Sequence, residues 1–122
     1  MFRISKEFHF SASHQLTHLP EGHQCARMHG HNYIVVVELA ARALNADGFV
    51  RDYHELAPLK TYIDECFDHR HLNDVLNVAS TAENLALHFY EWCAARWPET
   101  TSVKVSETPK TWAEYRPAPQ AA

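Results

Sequence analysis

The chain reads as an α+β domain: strands, then helices, then strands again, in the order ββααββ, with a four-stranded antiparallel sheet carrying two helices on one face. Three observations predict this. Apolar residues alternate with polar ones over residues 2–14 and again over 29–41, the period-2 signature of half-buried strands. Between about 53 and 97 the apolar spacing changes to that of helices. Alternation then resumes from Val103 to Tyr115.

In the first strand Phe2, Ile4, Phe8, Phe10 and Ala12 share a face, with Lys6 the exception, and the count carries His14 onto that apolar face. Residues 15–28, with Pro20, Glu21 and Gly22, form a long loop. The second strand places His29, His31, Tyr33, Val35, Val37 and Leu39 together. Asn45-Ala46-Asp47-Gly48 makes a turn before a short extended piece, Phe49 to Arg51. Asp52 is suited to cap a helix over roughly 53–67, with Leu56, Leu59, Ile63 and Phe67 inward; Pro58 argues that it starts at His54 or later. Ser80-Thr81-Ala82-Glu83 has capping-box spacing, and Leu85, Phe89, Trp92 and Cys93 form the inward stripe of a second helix that Pro98 ends. Val103, Val105 and Glu107 form a third strand, Pro109-Lys110 a turn, and Trp112 to Tyr115 a last strand. With no repeat or linker, residues 1–116 make one domain, and 117–122 a frayed tail.

The 122 residues can bury a real core without staples. Eleven Lys and Arg against fifteen Asp and Glu give a net charge of −4, which argues against a general nucleic-acid binder. No apolar run is long enough to span a membrane, and the N-terminus alternates rather than forming a signal peptide, so a cytoplasmic address is expected. Three cysteines without framework spacing disfavour disulfides. Cys66 and Cys93 fall on apolar helix faces as buried thiols; only Cys25 keeps polar, histidine-rich company.

His29 and His31 are one residue apart on a strand, so their rings point to the same side from Cα atoms roughly 7 Å apart. If the first two strands pair antiparallel, His14 lies beside them. Three neutral imidazoles suit zinc and leave a fourth position open. Histidines alternating on a half-buried surface are the competing explanation for His-x-His alone; the phase of His14 favours the metal. Cys25 has two readings, a fourth ligand that closes the site or a thiolate activated beside a cation. Asp68-His69 could be an acid–base pair or helix-end capping residues. Glu107, a carboxylate ending an apolar alternation, needs a partner: either an amino-pyrimidinone edge or a neighbouring Arg or Lys. His18, His54 and His88 read as solvated, while His23 and His71 fall near the site.

These pieces, taken in order, resemble the 6-pyruvoyltetrahydropterin synthase superfamily, and within it the 6-carboxytetrahydropterin synthase branch. The resemblance runs from about Phe2 to Tyr115 and rests on Phe8-x-Phe10-x-Ala12-x-His14, Pro20-Glu21-Gly22-His23, Cys25-x3-His29-Gly30-His31, Asp68-His69-x2-Leu72-Asn73, Thr81-x-Glu83-Asn84 and Glu107-Thr108. The three-residue gap between Cys25 and His29 is similar to the carboxy branch. The resemblance implies a tunnelling-fold unit that trimerises into a barrel and stacks as a homohexamer, with active sites between subunits. It implies Zn2+ on His14, His29 and His31, Cys25 as the proton-abstracting thiolate, Asp68 and His69 as a relay, and Glu107 as pterin anchor and relay member. Thr81, Thr108, Arg27 and His23 become candidate substrate contacts.

The implied activity is a lyase reaction. It converts 7,8-dihydroneopterin triphosphate to 6-carboxy-5,6,7,8-tetrahydropterin, with loss of acetaldehyde and triphosphate, in a deazapurine pathway such as queuosine biosynthesis or a pyrrolopyrimidine route. Pyruvoyl-type activity on the same substrate, or a non-catalytic zinc module, are the alternatives. Two positions depart from the family's pattern. Ser80 stands where many relatives carry proline, with an effect expected only on the loop before the second helix. Ser106 replaces a lysine of some bacterial relatives, removing any charge contributed there.

Overall fold

The computed structural model describes residues 1–119. The elements run β1 (Phe2–His14), β2 (His29–Ala41), α1 (Ala57–Cys66), β3 (Arg70–His71), α2 (Ala82–Arg96), β4 (Thr100–Thr108) and β5 (Thr111–Tyr115). The α+β class and both long strands fall where alternation places them. The sheet has five strands rather than four, in the order β3-β1-β2-β4-β5. The extra strand, β3, pairs parallel to β1 through Ala12↔Arg70 and Ser13↔His71. Two residues are too few to show a period, and this strand is made by backbone docking onto β1.

The β1–β2 pairing is unbroken from Phe2↔Ala41 to His14↔His29. Because successive side chains face opposite ways, this register stacks Phe8 against Val35 and Phe10 against Tyr33 on one face, with β4 adding Val105 beside Val35 and Val103 beside Val37. The Phe10 and Tyr33 rings lie 4.8 Å apart and 9° from parallel. Onto this face α1 lowers Leu59 and Ile63, and α2 lowers Leu85, Ala86, Phe89 and Cys93, all within one continuous core.

Local chemistry explains the element ends. Asp52 caps not an α-helix but a 3₁₀ turn, Tyr53–Leu56, by accepting from the His54 N–H at 2.9 Å. α1 follows with Pro58 in its first turn, where the missing N–H costs nothing. Asn45 accepts from the N–H groups of Asp47 and Phe49, and Gly48 takes φ 88°, so the turn over 45–48 forms as its composition dictates. Phe49 to Arg51 is bent rather than extended: Arg51 turns in to grip Glu99 with two bonds of 2.6 and 3.0 Å. Cys93 is fully buried, which pushes its thiol up to about 12, whereas Cys66 is only half-buried. The expected tail over 117–122 lies outside the described residues from 120 onward; 117–119 are exposed and irregular.

The capping register of α2 differs from the sequence reading. Thr81, not Ser80, is the cap, and its hydroxyl oxygen accepts from the Asn84 N–H at 3.2 Å. Ser80 is released from that duty and is buried. Thr81→Ala should therefore lower the unfolding free energy by about 1 kcal/mol, whereas Glu83→Gln should change it by only a few tenths. Urea unfolding of the two variants measures the difference, and equal losses would reject this cap.

Candidate metal centre and active site

The β1–β2 register places His14 directly opposite His29, and Ala12 opposite His31, at the loop end of the hairpin. The ring centroids of the three histidines are 4.5, 4.9 and 5.0 Å apart, and their ligand atoms lie within 4.8 Å of one another. Two of the rings are oriented from behind. His14 Nδ1 is 2.7 Å from the Ser80 carbonyl oxygen, and His29 Nδ1 is 2.7 Å from that of Arg27. A carbonyl oxygen can only accept, so both Nδ1 atoms carry the hydrogen.

The Nε2 atoms of His14 and His29 then face each other with lone pairs at 2.9 Å. Two lone pairs at that distance repel unless a cation lies between them. His31 Nε2 is buried with no hydrogen-bond partner among the described residues. The donor set therefore fits a metal ion held by three imidazoles, with partners fixing the ligand tautomers.

Electrostatics favours the neutral rings such a site needs. Burial lowers the pKa of His14, and the Ser80 bond and Glu107 carboxylate offset only part of this. Burial likewise lowers His31, against the opposing influence of Glu107, whose Oε2 is 3.8 Å from His31 Nε2. Tyr33, next on the same strand face, is raised by burial and by Glu107, and its buried hydroxyl has no partner among the described residues.

The remaining expected residues are distributed around this cluster. Cys25 lies on a 3₁₀ turn, Gln24–Ala26, half-exposed and outside the three-histidine group. Its carbonyl accepts from the Leu16 N–H at 3.0 Å, tying the loop back to the end of β1. His23 Nδ1 accepts from the Cys25 N–H at 3.0 Å, and the side chains of His23 and Arg27 are exposed. Glu107 lines a cleft of about 430 Å³ with Glu83, Val105, Thr111 and Trp112. Thr81 spends its hydroxyl on capping α2, and Thr108 Oγ1 pairs with Thr111 Oγ1 across the β4–β5 turn.

Asp68 and His69 occupy the opposite edge. Asp68 Oδ1 accepts from the Ser11 N–H at 2.9 Å, and the His69 N–H donates to the Ser11 carbonyl at 2.6 Å. Clamped from both sides, His69 holds φ 58°, a left-handed conformation costing about 1–3 kcal/mol for a residue other than glycine. Its Nδ1 is 2.9 Å from Asp68 Oδ2, and the ring is 82% exposed. The Ser11 N–H, then His69, hold the Asp68 carboxyl below its usual range, so it stays ionised beside the ring. His69 lines a cleft of about 500 Å³ with Ser11, Ser13, Asn32 and His71.

Three residues escaped the sequence reading. Ser80, expected to affect only a loop, faces His14; Asn73 bonds Ser80; Tyr33 lies beside His31 with its hydroxyl unpartnered. Tyr33 could have been found by its phase with His29 and His31. Nothing local signals the other two. His88, expected to be solvated, is half-buried: Tyr62 Oη lies 2.6 Å from its Nε2, and burial lowers its pKa.

The three-histidine cluster on an α+β sheet, with a half-exposed cysteine on the adjoining loop, could hold a metal ion. A family model described as 6-pyruvoyl tetrahydropterin synthase matches residues 3–118, and the chain belongs to this family of lyase-type enzymes. It is 38% identical to the 6-carboxy-5,6,7,8-tetrahydropterin synthase of Synechocystis, over 94% of this chain and 93% of that one. It is 30% identical to the Bacillus subtilis protein of the same name, over 95% and 86%. The structure of Caenorhabditis elegans 6-pyruvoyl tetrahydropterin synthase superposes with a TM-score of 0.84 at 25% identity, covering 96% of each chain. No helix among the described residues is long and apolar enough to cross a membrane.

The lowered pKa values of His14 and His31 set a pH dependence. Their folded values lie below the ordinary 6.5, so unfolding takes up protons as the pH falls below about 6.5. Stability of the metal-free chain should be full above that pH and fall progressively below it. A divalent ion should raise Tm more at pH 7.5 than at pH 5.5, because protons compete for the same Nε2 atoms. Thermal scans with and without the ion test this; an equal shift at both pH values would reject it.

Proposed function

We propose that this chain is a zinc-dependent 6-carboxytetrahydropterin synthase acting in the cytoplasm. On this reading it converts 7,8-dihydroneopterin triphosphate to 6-carboxy-5,6,7,8-tetrahydropterin, releasing acetaldehyde and triphosphate, and feeds a deazapurine pathway of the queuosine or pyrrolopyrimidine kind. The observation that carries the reading is the convergence of His14, His29 and His31 in a family member whose curated relatives bear that enzyme's name. The three-residue spacing from Cys25 to His29 supports the carboxy rather than the pyruvoyl reaction.

The three imidazoles, neutral and borderline-soft, suit zinc over the harder oxygen-seeking cations. When bound, the ion supplies Lewis-acid polarisation of the substrate's side-chain oxygens. Every other task falls to the chain. Glu107 accepts two N–H bonds from the amino-pyrimidinone edge and so orients the ring. Cys25, as thiolate, removes the carbon-bound proton of the side chain. His69, its Nδ1–H directed to Asp68, presents Nε2 outward to give or take the next proton while triphosphate leaves. Thr108, Arg27 and His23 are secondary contacts at the rim.

Assembly completes the site in this proposal. His69 lines a cleft that His31 also borders, and Glu107 lines another; in the proposed assembly groups from a neighbouring subunit complete these clefts. β3 covers only Ala12 and Ser13 of β1 among the described residues, which leaves strand edge available for pairing between copies. A trimeric barrel stacked as a homohexamer satisfies both conditions.

Purified protein given dihydroneopterin triphosphate should yield acetaldehyde and the 6-carboxy product, and chelation should abolish turnover. A 6-pyruvoyl product without acetaldehyde would replace the carboxy reading with the pyruvoyl one. Cys25→Ala should reduce kcat by at least about 10³-fold while retaining one metal ion per chain. Loss of the ion together with activity would instead make Cys25 a fourth ligand.

A further inference from the structure

Ser80 is 1% exposed and its side chain has a forced hydrogen-bond direction. The amide of Asn73 is fixed by the backbone of Gln15. Asn73 Oδ1 lies 2.9 Å from the Gln15 N–H, and Asn73 Nδ2 lies 2.7 Å from the Gln15 carbonyl oxygen. A flipped amide would set donor against donor and acceptor against acceptor, so Oδ1 must face Gln15 N. That same Oδ1 accepts from the Ser80 hydroxyl at 3.3 Å.

With its hydrogen committed to Asn73, Ser80 Oγ has only lone pairs left, and one of them lies 3.3 Å from His14 Nδ1. The Ser80 carbonyl oxygen is already 2.7 Å from the same nitrogen. One serine thus offers two acceptors to one ring N–H. A hydroxyl free to rotate could instead donate to Nδ1 and stabilise the opposite tautomer, which would put hydrogen on Nε2 and block it. Asn73 removes that option.

We propose that the Asn73–Ser80 pair is a positioning device that fixes the His14 hydrogen on Nδ1 and so keeps the Nε2 lone pair directed at the metal. The proposal rests on the three-histidine cluster being a metal site. Neither residue touches substrate in this scheme; both act through His14. Gln15 immediately follows His14, so the Asn73 clamp also holds the end of β1 in register with the segment that carries Ser80.

The test uses three variants and two readouts, Zn2+ affinity by chelator competition and the His14 tautomer by ¹⁵N NMR of the metal-free protein. Asn73→Ala, which frees the Ser80 hydroxyl to donate to Nδ1 in competition with the carbonyl, should weaken Zn2+ binding about 10-fold or more and mix the His14 tautomers. Ser80→Ala removes that hydroxyl, leaves the carbonyl 2.7 Å from Nδ1 and should keep the Nδ1–H tautomer. Asn73→Asp keeps the acceptor for Ser80 and for the Gln15 N–H but loses the donor to the Gln15 carbonyl. It should therefore lower Tm as Asn73→Ala does, yet keep the Nδ1–H tautomer and near-parental affinity. If Asn73→Ala binds Zn2+ like the parent with an unmixed tautomer, or if Asn73→Asp loses the tautomer as fully as Asn73→Ala, the positioning role is overturned while the metal site stands. Absence of Zn2+ binding by the parent protein overturns the metal reading and this proposal together.

Discussion

The register of β1 on β2 is the constraint from which the rest of the molecule follows. Thirteen consecutive pairs, from Phe2↔Ala41 to His14↔His29, commit every other residue of both strands to one face. A slip by one residue would turn Phe8, Phe10, Tyr33, Val35 and Val37 toward the opposite face and scatter the three imidazoles with them. The core and the candidate metal centre are therefore specified by the same ladder. The burial of Phe10, Val35 and Val37, each residue contributing about 1.5–3 kcal/mol, also holds the histidines in phase.

That shared origin explains the electrostatic character of the site. The imidazoles stand at the end of an apolar face, where desolvation favours their neutral forms. Backbone carbonyls of Ser80 and Arg27 then choose which ring nitrogen carries the hydrogen. Glu107, at the corresponding end of β4, is a carboxylate placed beside His31 and Tyr33, with no Arg or Lys paired to it among the described residues. A group so placed gains by binding a cation or a pair of N–H donors. Asp68 and His69 are held differently, by a strained turn that the backbone of Ser11 pins from both directions. The three-histidine cluster and the exposed histidine are thus built by separate devices, although His31 and His69 border the same cleft.

Much of this was legible in the chain itself. Strand limits at His14, His29 and Ala41, the turn over Asn45 to Gly48 and the inward stripes of both helices follow from period and turn chemistry, which act within a few residues. The three-histidine cluster was legible because its members inherit strand phase. The misses share a different cause. β3 consists of two residues with no pattern of their own, and Arg51 bends away from an extended path because its partner, Glu99, is far along the chain. His88 looked solvated until Tyr62, from the other helix, was brought onto it.

Sequence alone thus determined which residues share a face and which chemistry that face can offer, because alternation and capping are local properties of the backbone. Tertiary structure alone decided how the histidines are oriented. Ser80 reads as one half of a capping box until Thr81 takes the cap, and only the packing of the chain before α2 against the end of β1 turns it toward His14. The pair is separated by 66 positions, as the Asn73 clamp on Gln15 is by 58. Hydrogen bonds closed across such distances leave no periodic trace, since they depend on where two segments meet and not on the composition of either.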